Sequence, residues 1–126
     1  MSGFTTVEEM KPIVAKWIDL MTKDSAISDK CKGINCSMQF IISDPEITFF
    51  TSFMDGKVTG GVGPMDPKAM VDLEMSSATF DGMMTGEVDG ASAAMSGDMS
   101  FSGDMSAAMG LQALQEDMMR LWLKSK

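Results

Sequence analysis

The chain has 126 residues, of which 44% are hydrophobic, and its 18 acidic and 10 basic residues give a formal net charge of −8. This length and composition predict one domain, residues 1–126, with a sizeable apolar core. The negative charge argues against nucleic acid as a partner and predicts at most weak, transient contact with membrane surfaces. We find neither an apolar run long enough to span a bilayer nor the pattern of a signal peptide, which predicts a cytoplasmic protein.

The residue types that usually carry catalysis are scarce, since the chain has no histidine and no tyrosine. Without histidine, Cys31 and Cys36 cannot complete a zinc tetrad, so we expect reduced structural thiols and no metal site. Asp98 and Asp104 bracket a predicted strand and should lie about 20 Å apart, whereas carboxylate pairs in glycosidases lie about 5–9 Å apart. These observations predict a protein that is not an enzyme and needs no cofactor.

The first half of the chain predicts a helix followed by four strands. Apolar residues recur at helical spacing over residues 6–24, and Thr6 with Glu9 forms a capping box at the start. The polar stretch "SDKCKGIN", residues 28–35, predicts a loop. Alternation in "MQFIIS", "EITFFTSFM", "KVTGGV" and "VDLEM" then predicts four strands, with a tight hairpin turn at Asp55-Gly56.

The second half predicts two short helices, a strand and a final helix. The stretches "SATFDGMMTG" and "DGASAAMSG" each combine an N-cap residue, a serine in the first and Asp89 in the second, with a closing glycine. "DMSFSGD" predicts a fifth strand. Asp104 then caps a final helix over residues 105–124, which carries an apolar stripe.

Three stretches, "ITFFTSFMDGKVTGG", "VDLEMSSATFDGMMTGEVDGASAAMSG" and "DMSFSGDMSAAMGLQALQ", follow one another in a distinctive order and spacing. These stretches carry a resemblance of residues 38–115 to the sterol carrier protein type 2 family. The resemblance implies an α+β fold: a five-stranded, mostly antiparallel sheet covered by helices, with an apolar tunnel between sheet and helices. It also implies a soluble carrier of a sterol, a fatty acyl chain or an acyl-CoA, and not a catalyst.

The 16 methionines suit such a tunnel, because an unbranched, polarizable side chain can reshape around different ligands. The phenylalanine, methionine and leucine side chains near the implied tunnel are its predicted lining: Phe40, Phe49, Phe53, Met75, Phe80, Met83, Met84, Met95, Phe101, Met105, Met109, Leu114 and Met118. The same pattern is also typical of a filled core. In that case the chain would be an accessory or interaction module for an enzyme of lipid or thioester metabolism.

The end of the chain, "EDMMRLWLKSK", has two interpretations. Its apolar stripe can pack on the sheet and complete the core, or it can form a lid over the tunnel mouth. As a lid, it would place Arg120 and Lys124 at the mouth, where they could bind the headgroup of a ligand. The lid interpretation predicts that truncation after Gln115 leaves a folded protein that releases its ligand faster.

Overall fold

The computed structural model describes residues 6–43, 46–63, 69–104, 106 and 114–125. In chain order, these residues form α1 (Val7–Lys23), α2 (Ser25–Lys30), β1 (Asn35–Ser43), β2 (Glu46–Met54), β3 (Lys57–Val62), β4 (Val71–Met75), α3 (Ser77–Thr85), α4 (Gly90–Ser96), β5 (Met99–Gly103) and α5 (Gln115–Ser125). Most of residues 105–113, the first part of the predicted final helix, lie outside the described residues.

The five strands form one sheet in the order β3-β2-β1-β4-β5. Neighbouring strands are antiparallel except β1 and β4, which run parallel. The predicted α+β class and the five-stranded, mostly antiparallel sheet are therefore confirmed. The tunnel that the resemblance implies stays a prediction.

Helix α1 forms as its capping signals predict. The Thr6 hydroxyl accepts a hydrogen bond from the Glu9 backbone N–H at 3.1 Å, and acidic residues in the first turn complement the helix dipole. The helix continues through Pro12. One stripe of the helix is buried: Met10, Val14, Trp17, Ile18 and Met21.

The loop predicted over residues 28–35 is wrong at both ends, since its first three residues belong to α2 and Asn35 begins β1. The Asp24 carboxylate caps this helix by accepting a hydrogen bond from the Ile27 backbone N–H at 3.1 Å. Ile27 itself is fully buried. A cap and one buried side chain therefore stabilise a short helix in a stretch whose polarity indicated a loop.

In each central strand, every second side chain points toward the helices. The inner face of the three central strands is formed by Cys36, Met38, Phe40, Ile42, Ile47, Phe49, Thr51, Phe53, Val71, Leu73 and Met75, all buried. The outer face carries polar pairs such as Asp72 opposite Ser102 and Glu74 opposite Ser100. The helices therefore have one apolar sheet face to pack on.

The turns and the short helices match their predicted signals. Asp55 and Gly56 have φ of 46° and 89°, which are the positive values that a two-residue hairpin turn requires. The Ser76 hydroxyl accepts a hydrogen bond from Thr79 N at 3.2 Å at the start of α3, and Asp89 caps α4 in the same way. Both helices end at a glycine with positive φ.

Candidate functional site

Five aromatic side chains meet between the sheet and the helices. Trp17 of α1, Phe40 of β1, Phe49 of β2, Phe80 of α3 and Trp122 of α5 are each at most 1% exposed. The Trp17 ring centroid lies 5.5 Å from that of Trp122 and 5.7 Å from that of Phe80, in edge-to-face arrangements. The rings of Phe40 and Phe49 stack at 5.0 Å. This aromatic cluster lies between sheet and helices, where the family resemblance implies a tunnel.

Two buried hydrogen bonds hold α5 in the aromatic cluster. The Trp17 indole N–H donates to the Met118 carbonyl oxygen at 2.9 Å, and the Trp122 indole N–H donates to Asp81 Oδ1 at 2.7 Å. Asp81 is 3% exposed. Helix α5 is therefore part of the core, and the interpretation as a lid that swings away at small cost is wrong.

The other predicted lining residues occupy three kinds of position. Several join the same buried core as the aromatic cluster: Phe53, Met75, Met84, Leu114 and Met118. Met83 and Phe101 are partly buried and pack against that core. Met105 and Met109 lie outside the described residues.

Met95 is the exception among the described residues of the predicted lining. It is 89% exposed, whereas its helix α4 buries Ala93, which is 2% exposed. The prediction that Met95 faces the interior is therefore wrong, because α4 places this residue on its solvent side. Whether the remaining side chains line a ligand stays a prediction.

Arg120, one of the two residues predicted at the tunnel mouth, takes part in an ion-pair network. Arg120 Nη2 lies 3.1 Å from Asp24 Oδ2 and 3.2 Å from Asp117 Oδ1, and Lys30 Nζ lies 2.8 Å from Asp117 Oδ2. The hydrogen bond from Lys30 is the main reason that the pKa of Asp117 is lowered. The network ties α5 to the junction of α1 and α2, while Lys124 is exposed near the end of α5.

A groove of about 300 Å³ lies between α1 and the edge strand β3, where the sequence predicted no site. It is lined by Ala15, Ile18, Asp19, Thr22, Gly60, Gly61 and Val62. A Cβ on Gly60 would lie 2.7 Å from the Phe50 carbonyl oxygen and 2.8 Å from Ile18 Cγ2. Glycine at position 60 thus lets the helix approach the strand closely, and the pair Gly60-Gly61 is the sequence signal for it.

The two cysteines are free thiols, both buried. Burial raises the pKa of the Cys36 thiol to about 11, so this thiol is protonated and unreactive near neutral pH.

In the described part of the chain we find no group of histidine, cysteine, aspartate or glutamate residues that could hold a metal ion. No helix within residues 6–43, 46–63, 69–104 or 114–125 is long and apolar enough to cross a membrane.

An open, mostly antiparallel sheet with helices on its apolar face defines an α+β domain. Residues 15–116 match the SCP-2 sterol transfer family, and the chain belongs to this family. No curated protein matches the sequence.

Solved structures share the fold at low sequence identity. Sterol carrier protein 2 from Yarrowia lipolytica, in its apo form, has a TM-score of 0.67 and 16% identity, and the match covers 89% of this chain and 91% of that one. Sterol carrier protein 2 from Aedes aegypti, in complex with palmitate, has a TM-score of 0.55 and 15% identity over 83% of this chain and 91% of that one.

The fold also occurs as a small part of a larger enzyme. The sec-alkylsulfatase Pisa1 from Pseudomonas sp. has a TM-score of 0.58 and 21% identity over 75% of this chain. The match covers 14% of the alkylsulfatase chain. The similarity to that enzyme therefore concerns one portion of it and not the enzyme as a whole.

Proposed function

We propose that this protein is a soluble cytoplasmic carrier that binds a hydrophobic small molecule, such as a fatty acyl chain, a sterol or an acyl-CoA, and catalyses no reaction. The observation that carries the proposal is the match of residues 15–116 to the SCP-2 sterol transfer family. The palmitate complex of the Aedes aegypti protein supports it, because that ligand is held by the same fold.

The apolar interior has the composition that such a ligand needs. Burial of one methylene group contributes about 0.8 kcal/mol, so a chain of about 12 carbons would gain about 10 kcal/mol before the costs of association. Buried Met38, Met75, Met84 and Met118 belong to the same hydrophobic core as the aromatic cluster. Because methionine side chains adapt their shape, they could repack to admit a chain that enters along the groove between α1 and β3.

A second candidate function is that of an accessory or interaction module for an enzyme of lipid or thioester metabolism. Two observations favour it: the aromatic cluster fills the centre of the interior, and the same fold forms a small part of the alkylsulfatase chain. In this case the domain would contact a partner enzyme through its surface and hold no ligand inside.

Replacement of Ala15 by tryptophan tests the carrier proposal at the groove. Ala15 is exposed and lines the groove, so the indole should fill the entrance without disturbing the core. We expect about a tenfold or greater loss of affinity for cis-parinaric acid, a fluorescent fatty acid, and a free energy of unfolding within about 0.5 kcal/mol of the parent. Fluorescence titration and urea denaturation measure the two quantities.

Ala94→Trp is the matched control, because Ala94 is an exposed alanine on α4, away from the groove. This variant should bind the probe as the parent does. Equal affinity of the parent and Ala15→Trp would contradict entry through the groove. A parent protein that fails to bind the probe at all would favour the interaction module.

A further inference from the structure

One fully buried hydroxyl group is unsatisfied. Thr51 is 0% exposed, and its Oγ1 atom has no hydrogen-bond partner among the described residues. A buried polar group without a partner destabilises the folded protein, and valine has the same shape without that destabilising effect. A ligand atom can supply the hydrogen-bond partner that such a buried hydroxyl lacks.

The strand register places this hydroxyl beside the groove. Thr51 of β2 lies opposite Gly60 of β3, and residues that face each other across strands present their side chains on the same side of the sheet. The position over Gly60 is occupied by Ile18 of α1, whose Cγ2 would lie 2.8 Å from a Cβ at that glycine. Ile18 therefore lies over Gly60, the residue that pairs with Thr51.

Ile18 and Gly60 also line the groove between α1 and β3. Displacement of the Ile18 side chain would open the groove toward Thr51, which pairs with Gly60. An alkyl chain in the groove that carries an oxygen atom at its inner end would bring that atom to the unsatisfied hydroxyl.

Charge and size define the class of ligand. The Asp19 carboxylate lines the groove, but Lys23 neutralises it at 3.0 Å, so the electrostatic preference at the groove comes from the net charge of −8 on the chain. An anionic headgroup is therefore disfavoured against a neutral one. A groove of about 300 Å³ lies at the lower end of ligand pockets, which span about 300–1,000 Å³, and suits one alkyl chain better than a sterol.

We propose that the Thr51 hydroxyl is the polar anchor for a single-chain lipid with a neutral oxygen headgroup, of the class of the long-chain alcohols, which enters through the groove between α1 and β3. This inference rests on the proposed carrier function and specifies which ligand it takes and which side chain recognises it. Thr51 is a specificity residue and has no catalytic role.

The test compares 1-octanol with 1-fluorooctane, which has nearly the same shape but is a poor hydrogen-bonding group, in NMR titrations of protein labelled at the threonine methyl groups. We expect Thr51→Val to weaken 1-octanol binding about 3–10-fold and to leave 1-fluorooctane binding unchanged. Thr51→Ser, which keeps the hydroxyl, should restore the preference for the alcohol. In the parent, octanoate should bind more weakly than 1-octanol.

Thr48→Val is the matched control, since Thr48 lies on the same strand with its side chain on the other face of the sheet. It should leave both affinities unchanged. In the parent, the Thr51 methyl resonance should shift more with 1-octanol than with 1-fluorooctane, a readout that needs no variant.

Three results would overturn the inference. If Thr51→Val weakened the binding of both probes equally, or of neither, Thr51 would not be the polar anchor, while the carrier function would stand. Tighter binding of octanoate than of 1-octanol would exclude the neutral headgroup. A parent that binds neither these probes nor cis-parinaric acid would overturn the carrier function itself.

Discussion

Replacement of Trp122 by alanine should lower the free energy of unfolding by about 3–5 kcal/mol, the usual range for a large aromatic side chain removed from a core. Trp122 is fully buried, and its ring packs edge-to-face on Trp17 and Phe80. The substitution also removes the hydrogen bond that buried Asp81 accepts at 2.7 Å. Chemical denaturation followed by circular dichroism measures the loss.

The next residue provides the matched control. Leu123 lies on the same helix but is 56% exposed, so Leu123→Ala should change the free energy of unfolding by about 0.5 kcal/mol or less. If Trp122→Ala changed the free energy of unfolding as little as Leu123→Ala, α5 would not be a core helix and the result would support the lid interpretation.

Truncation after Gln115 should leave a protein that does not fold. The deletion removes α5 and with it buried Met118, Leu121 and Trp122, and it exposes the Trp17 ring and the apolar faces of α1 and α3. The loss of these buried contacts is large compared with the free energy of unfolding of a domain, which is about 5–15 kcal/mol. Near-ultraviolet circular dichroism and a thermal melt measure the outcome.

Truncation after Ser125 controls for a change at the terminus, because it preserves α5 as far as the structure describes it. That variant should melt as the parent does. A protein truncated after Gln115 that kept its near-ultraviolet spectrum and melted cooperatively would contradict the assignment of α5 to the core.

The features that could be predicted from the sequence are those fixed by local interactions. The cap of α1 at Thr6 joins residues three positions apart, and the hairpin at Asp55-Gly56 depends on two adjacent residues. The strands follow from alternation, since residues two apart share a face of the sheet. The resemblance of residues 38–115 to a known family supplied the order in which these elements assemble.

The features that were missed depend on contacts between distant residues. Trp17 donates a hydrogen bond to a carbonyl 101 positions away, and Trp122 donates one to a carboxylate 41 positions away. The sequence of α5 alone therefore could not decide whether this helix belongs to the core. The groove forms where Ile18 meets Gly60, and no local pattern pairs these two residues. The solvent-facing side chain of Met95 depends on how α4 rests on β5, which apolar character alone does not reveal.

Native mass spectrometry of the protein purified from cells, followed by organic extraction of the same sample, shows whether this protein carries a lipid. We predict a species heavier than the chain alone by the mass of a bound lipid, which extraction releases and which returns when the stripped protein is mixed with a long-chain alcohol or fatty acid. A protein that carries no lipid after purification and takes up neither class of lipid would exclude the carrier function and favour the interaction module.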